Sequence, residues 1–241
     1  MRELVRSVVD SFRSSPLTAS LVLLGILLLL WYAFRRHREK NNLSSTAAVR
    51  AWAESIFIAV GLALFISSFL VQAFKIPSGS MLETLQIGDQ LLVSRFAYDI
   101  KVPFTNIVIF STGEPQHGDV IVFEYPRDPS KDFIKRVIGL PGDSIEIRNK
   151  VIYRNDEPLD EPYIQHTDQR ILLGRRDIME RFVVPENKFF VLGDNRDNSQ
   201  DSRFWGFVDR GVIVGKALVI YWSWDHNKSE VRWDRIGDLI R

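Results

Sequence analysis

Hydrophobic and polar positions divide the chain into two unlike parts. Near the start stand two uncharged apolar runs, Ser14 to Phe34 with 21 residues and Ser55 to Phe74 with 20. About 20 apolar residues in a helix rising ~1.5 Å each span a hydrocarbon core of about 30 Å. The pattern predicts transmembrane helices over 14–34 and 51–74. The first ends in "WYAFRRHREK", with no small-residue cleavage site and with its bases on the wrong flank for a cleavable leader, so it is expected to be retained. The intervening loop, 35–50, carries Arg35, Arg36, Arg38, Lys40 and Arg50 against Glu39. The tail, 1–13, carries only Arg2, Arg6 and Arg13. Counting bases places the loop in the cytoplasm, and the tail and everything beyond Phe74 on the other side.

After Phe74 the period changes. "DVIVFEY" (119–125), "DFIKRVIGL" (132–140), "NKFFVLGD" (187–194) and "GVIVGKALVIYWSW" (211–224) are rich in β-branched and aromatic residues, and Gly, Pro, Asp and Asn cluster between them. In "SIEIRNKVIYRN" (144–155), Ile145 and Ile147 alternate with Glu146 and Arg148 before Asn149-Lys150, which predicts a hairpin. Residues 155–186 are more polar and less regular, and are expected to form a short insertion. The expected architecture is a mainly β domain over 75–241, anchored by two N-terminal helices.

Composition narrows the chemistry. The net charge of +1 gives no argument for nucleic acid. The chain has no Cys, which removes thiol nucleophiles and disulfides, and its four His (His37, His117, His166, His226) lack metal-ligand spacing. No metal or cofactor is expected.

Three stretches carry candidate chemistry. The first, "PSGSM" (77–81), is by composition an ordinary turn, but Ser80 lies six residues past an apolar run, close to where a membrane surface would be. A serine nucleophile needs a base. His117 and His166 lie in polar turns and give no support for a triad. Lys135, in the apolar strand pattern "DFIKRVIG", is the better candidate, although a lysine in a strand more often faces solvent. The third stretch, "GDNRDNSQDSRFWGF" (193–207), crowds Asp194, Arg196, Asp197, Asp201 and Arg203 together. It reads either as a solvated loop with surface ion pairs, worth little each, or as a rigid loop fixed by side-chain to backbone bonds and presenting Ser199.

Taken together, "KIPSGSMLETLQIGD", "HGDVIVFEYP", "DFIKRVIGLPGD" and "GDNRDNSQDSRFWGFV" resemble, in family order, the bacterial type I signal peptidases. These are membrane-bound serine proteases that remove signal peptides. The resemblance runs from about Ile76 to Val208. It implies Ser80 as nucleophile, Lys135 as general base, Ser78 and the Ser80 N–H as oxyanion donors, and Ser199 as the group orienting the lysine. Arg136, Asp201 and Arg203 match positions that hold the site together. Ile76, Met81, Leu85, Phe133 and Ile134 match pockets for small residues. The chain departs from the family at Glu83, where proline is common, and around 153–184, where the family's β insertion is abbreviated.

A free lysine, with pKa ~10.4, is a poor base at neutral pH, so the resemblance further implies burial of Lys135 among apolar neighbours. The implied substrates are secretory preproteins with small-x-small sites, and the implied setting is a bacterial inner membrane, with the lipid bilayer and the translocation machinery as partners. Trp222 and Trp224 read equally as interfacial anchors or as packed strand aromatics. Two other classes compete: a self-cleaving Ser/Lys repressor-type protease, against which stands the lack of a helix-turn-helix pattern, and a catalytically silent, membrane-anchored binding module.

Overall fold

The computed structural model describes Ala53, residues 56–58, Gly61, residues 71–101 and residues 108–240. The chain divides into two compact units, 1–72 and 73–241. The tail 1–13, the predicted span 14–34 and the loop 35–50 lie outside the described residues, as does most of 51–74. Ala53, residues 56–58 and Gly61 are helical. Among the described residues no helix is long and apolar enough to cross a membrane. One boundary is corrected. Val71–Lys75 is a strand, β1, so the helix expected to run through Phe74 does not extend past residue 70. β1 pairs with the next strand. Sheet hydrogen bonds decide the state of a segment whose Val71 and Phe74 suit a strand as well as an apolar helix.

The rest is β structure in chain order: β2 (Asp89–Ser94), β3 (Asp99–Lys101), β4 (Val108–Ser111), β5 (Val120–Tyr125), β6 (Asp128–Gly139), β7 (Ser144–Arg148), β8 (Val151–Arg154), β9 (Glu157–Pro158), β10 (Met179–Val183), β11 (Lys188–Leu192), β12 (Val208–Asp209), β13 (Ile213–Asp225) and β14 (Glu230–Val231). The large sheet runs β1-β2-β13-β5-β6-β11-β12, with β14 added to β13. A second sheet runs β10-β7-β8-β9, and β3 pairs with β4. The predicted hairpin forms β7 and β8. Asn149 and Lys150 both take positive φ, 51° and 75°, the requirement of a tight primed turn. The region 155–186 supplies β9 and β10, so part of the expected insertion completes the second sheet.

β5 explains why its sequence reads as an unbroken apolar run. Val120 and Val122 join one core with Ile76, Met81, Leu85, Leu91 and Ala217. Ile121 and Phe123 join another with Val137, Phe189 and Val191. The strand is buried on both faces, so alternation vanishes. A third core, with Ile138, Ile145, Ile152 and Leu192, lies under the second sheet. The second half of central strand β6 therefore delivers its polar side chains into a dry interior. Its first half, with Asp128, Ser130, Lys131 and Asp132, stays at the surface; the buried half carries Lys135 and Arg136.

Candidate active site

Beyond β1 the backbone closes a loop: Ile76 N–H donates to Asp89 O (2.9 Å) and Gly88 N–H to Ile76 O (3.1 Å). Inside it Leu85 N–H donates to Met81 O at 2.7 Å, a single helical turn. Met81 and Leu85 are fully buried and pin that turn to the core. Ser80 immediately precedes Met81 and stays partly exposed at the rim. Ser78 is exposed, and its side chain makes no hydrogen bond among the described residues.

β6 brings Lys135 to this rim. Its Nζ donates to Ser80 Oγ at 2.7 Å and to Ile134 O at 2.8 Å. The residue is only 3 % exposed, and Nζ lies 5.5 Å from the centre of the Phe133 ring. Burial pulls its pKa down to about 8, with the charges of Asp201 and Asp194 opposing. Roughly a tenth of the amine is then neutral at pH 7, far more than for a solvated lysine with pKa ~10.4.

Ser199 departs from expectation. It is buried in the loop after β11, but its Oγ has no hydrogen-bond partner; it does not bond Lys135 Nζ. A Cβ placed on Gly193 would collide with both Ser199 Oγ and the Ser80 carbonyl oxygen, so Gly193 is where the two serine segments converge. A buried hydroxyl left unpaired costs about 1–3 kcal/mol and is unusual enough to mark a site.

The loop around it is the reverse of a solvated one. Arg136, buried beside Lys135, forms a two-pronged pair with Asp194 (Nε–Oδ1 2.9 Å, Nη2–Oδ2 2.7 Å). It also donates to Gly118 O (2.8 Å) and Thr84 Oγ1 (3.2 Å). Thr84 in turn donates to Asp194 Oδ2 at 2.5 Å. Asp201 accepts from Arg203 Nε (2.8 Å), Arg203 Nη2 (2.7 Å) and the Gly193 N–H (3.2 Å), and caps a short helix, α1 (Ser202–Trp205). Arg196 pairs with Glu161 at 2.9 and 2.6 Å. All three arginines are buried. The surface-ion-pair reading of this stretch is therefore wrong, because its partners Arg136 and Glu161 come from distant strands and loops and enclose it.

Of the five expected pocket residues, Met81 and Leu85 are wholly buried and Ile76 nearly so. Phe133 and Ile134, beside Lys135, are the two that reach the surface. His117 Nε2 meets Asp143 at 2.6 Å and His166 Nδ1 meets Asp197 at 3.4 Å. Neither histidine bonds Ser80. Glu83 accepts from Gln165 Nε2 at 2.9 Å, tying the turn after Ser80 to the segment beside Asn195. Asn195 was not singled out from the sequence. It donates from its backbone to Ser80 O (3.2 Å) and from Nδ2 to Gly79 O (2.9 Å). The only signal for it was its place inside "GDNRDNS", where Asn passes for a turn former.

A family model described as signal peptidase, peptidase S26, matches residues 49–222. Among curated proteins, signal peptidase I of Pseudomonas aeruginosa is 37% identical over 209 aligned positions, covering 73% of this chain and 74% of that protein. Signal peptidase I of Aquifex aeolicus is 36% identical over 222, covering 70% and 82%. A solved signal peptidase I from Enterococcus faecalis shares 33% identity and covers 43% of this chain and 97% of its own, at a TM-score of 0.35.

Proposed function

The chain belongs to the signal peptidase family, peptidase S26, and from that premise we propose a Ser80/Lys135 dyad cutting after small-x-small sites. It is a hydrolase, a serine peptidase acting on the signal peptides of secretory preproteins. The dyad is carried by one observation, the 2.7 Å contact between Ser80 Oγ and a lysine whose pKa is about 8.

In this reading the neutral Lys135 Nζ accepts the Ser80 hydroxyl proton as Oγ attacks the scissile carbonyl. The oxyanion that forms takes hydrogen bonds from the Ser80 N–H and the Ser78 hydroxyl. Each such donor is typically worth about 2.7–4 kcal/mol. The Lys135 ammonium then protonates the departing amine. Water, deprotonated by the regenerated amine, releases the acyl group from Ser80. Ser199 serves as an orienting group for Lys135 in this reading: the two are not bonded in this structure, but its buried hydroxyl has no other partner among the described residues. Phe133 and Ile134 form the exposed lining of the pockets, with Ile76, Met81 and Leu85 as the apolar floor behind them. Such a lining favours Ala over bulkier side chains. The preprotein adds as an extended strand beside the site.

The two uncharged runs and the basic loop support a multi-pass anchor in the bacterial cytoplasmic membrane, with residues 75–241 on the extracytoplasmic side and the translocation machinery nearby. The test uses the detergent-solubilised full chain and a preprotein with an Ala-x-Ala site. Wild type cuts once at that site, and Ser80→Ala and Lys135→Ala do not. Substantial cutting by Lys135→Ala would remove the dyad from the account.

A further inference from the structure

Asn195 touches the backbone on both sides of Ser80, and we infer that it is the positioning residue for the oxyanion hole: it locks the Gly79–Ser80 peptide so that the Ser80 N–H faces the cleft. This rests on the reading of Ser80 as nucleophile and of its N–H as an oxyanion donor.

The geometry runs through peptide planarity. In a trans peptide the carbonyl of one residue and the N–H of the next point in opposite directions. Holding Gly79 C=O therefore aims Ser80 N–H. Gly79 O receives Asn195 Nδ2–H at 2.9 Å and, more weakly, Leu82 N–H at 3.3 Å. The following peptide is held as well, because Ser80 O accepts the Asn195 N–H at 3.2 Å. One residue thus fixes both planes that meet at the Ser80 Cα. The Ser80 N–H itself donates to nothing among the described residues, the state required of a donor reserved for a transient anion.

The lock is needed because the residue before Ser80 is glycine. Without a Cβ, Gly79 rotates cheaply, and a flipped Gly79–Ser80 peptide would present a carbonyl where a donor belongs. A side chain there has little room, since a Cβ on Gly79 would stand 3.0 Å from Leu82 Cδ1. The lock is also stiff. Asn195 is buried, with its neighbours Asp194 and Arg196 held by Arg136 and Glu161. Its side-chain oxygen faces Asn198 Nδ2 at 3.4 Å, which leaves Nδ2 as the group that meets Gly79 O. The buried ion pairs of the loop thereby act on the chemistry through one amide.

The test compares full-length wild type with Asn195→Ala and Asn195→Asp in three measurements. These are kcat and KM on an Ala-x-Ala preprotein, inhibition by a peptide aldehyde of the same sequence, and the pH dependence of kcat/KM. An aldehyde adds to the Ser80 hydroxyl as a tetrahedral hemiacetal whose oxygen occupies the hole, whereas the cleaved signal peptide binds without forming one. Asn195→Ala should lower kcat roughly 10- to 100-fold and weaken the aldehyde by a similar factor, because the Leu82 N–H retains part of the orientation. KM and the affinity of the cleaved signal peptide should stay within about threefold. The pH midpoint should stay near 8, since Lys135 keeps its surroundings. Asn195→Asp keeps the shape, loses the side-chain donor at neutral pH, and should behave alike; it decides the matter by the same readouts if Asn195→Ala gives no cooperative melt. Unchanged aldehyde inhibition, a loss confined to KM, or a moved pH midpoint would overturn the assignment. Cleavage by Ser80→Ala would instead sink the nucleophile reading, whereas an inert Ser80→Ala beside a wild-type-like Asn195→Ala would sink this inference alone.

Discussion

The nucleophile rim and the largely buried loop from Gly193 to Arg203 are both polar, and they treat their charges in opposite ways. Lys135 and Arg136 make the contrast sharpest, as neighbours on one strand. Arg136 has a carboxylate clasped at two points and carbonyl and hydroxyl acceptors besides. Lys135 has a hydroxyl, a carbonyl and, among the described residues, no carboxylate within ion-pair distance. At the rim Ser199 Oγ and the Ser80 N–H also lack partners. The loop pairs its charges, Asp201 with Arg203 inside it and Asp194 and Arg196 with Arg136 and Glu161 outside it, and becomes rigid. The rim withholds such pairing and becomes reactive. A paired lysine would hold its proton and be no base, and an unpaired arginine, ionised at any ordinary pH, would be an intolerable buried charge.

Substitution should separate the two regions. The largest effect belongs to Lys135→Met, which removes the buried ammonium and keeps the bulk. Cleavage should fall by roughly 10⁴-fold or more, while the melting temperature at pH 7 should not fall. The sign follows from proton linkage. The lysine's pKa is about 8 when folded and ~10.4 when unfolded, so the ammonium opposes folding below pH 8 by roughly 3 kcal/mol. Between those values the unfolded chain binds more protons, and wild-type stability gains on the variant as pH rises. A variant that melts well below wild type at pH 7 would erase the distinction. Asp194→Ala comes next and points the other way. It removes the carboxylate that neutralises buried Arg136, and should lower the unfolding free energy by about 3–5 kcal/mol, read from denaturant midpoints. The smallest effect on stability belongs to Ser199→Ala. With no hydrogen bond to lose and an unpaired buried hydroxyl removed, it should not lower stability, and should raise it by up to about 1–3 kcal/mol. Turnover should nonetheless fall if the hydroxyl orients Lys135. Loss of stability without loss of rate would make Ser199 part of the rigid region instead.

What the sequence reveals of these regions depends on the distance over which each is determined. The strands around Ile121, Val137 and Val191 are legible because burial on one or both faces imprints a local pattern. The Asn149-Lys150 turn is legible because its positive φ values require particular residues at two adjacent places. Lys135 stands out because it and Arg136 interrupt an apolar strand pattern. The loop misleads because its partners are remote: Arg136 lies 58 residues before Asp194, and Glu161 lies 35 before Arg196. Five charges in ten residues look solvated unless those partners are known. Asn195 is hidden for the same reason, since its acceptors on Gly79 and Ser80 are 116 and 115 residues away. Met81 and Leu85 match pocket positions, but only the packed structure reveals that they lie behind the surface.

The central claim is that a desolvated, unpaired Lys135 is the base, and the pH dependence of kcat/KM on an Ala-x-Ala preprotein tests it most directly. This profile reports groups on the free enzyme. With Lys135 at about 8, kcat/KM should climb about tenfold per pH unit below that value and level off above it. A profile flat from about pH 6 to 9, or one still climbing toward the ~10.4 of a solvated lysine, would contradict the account.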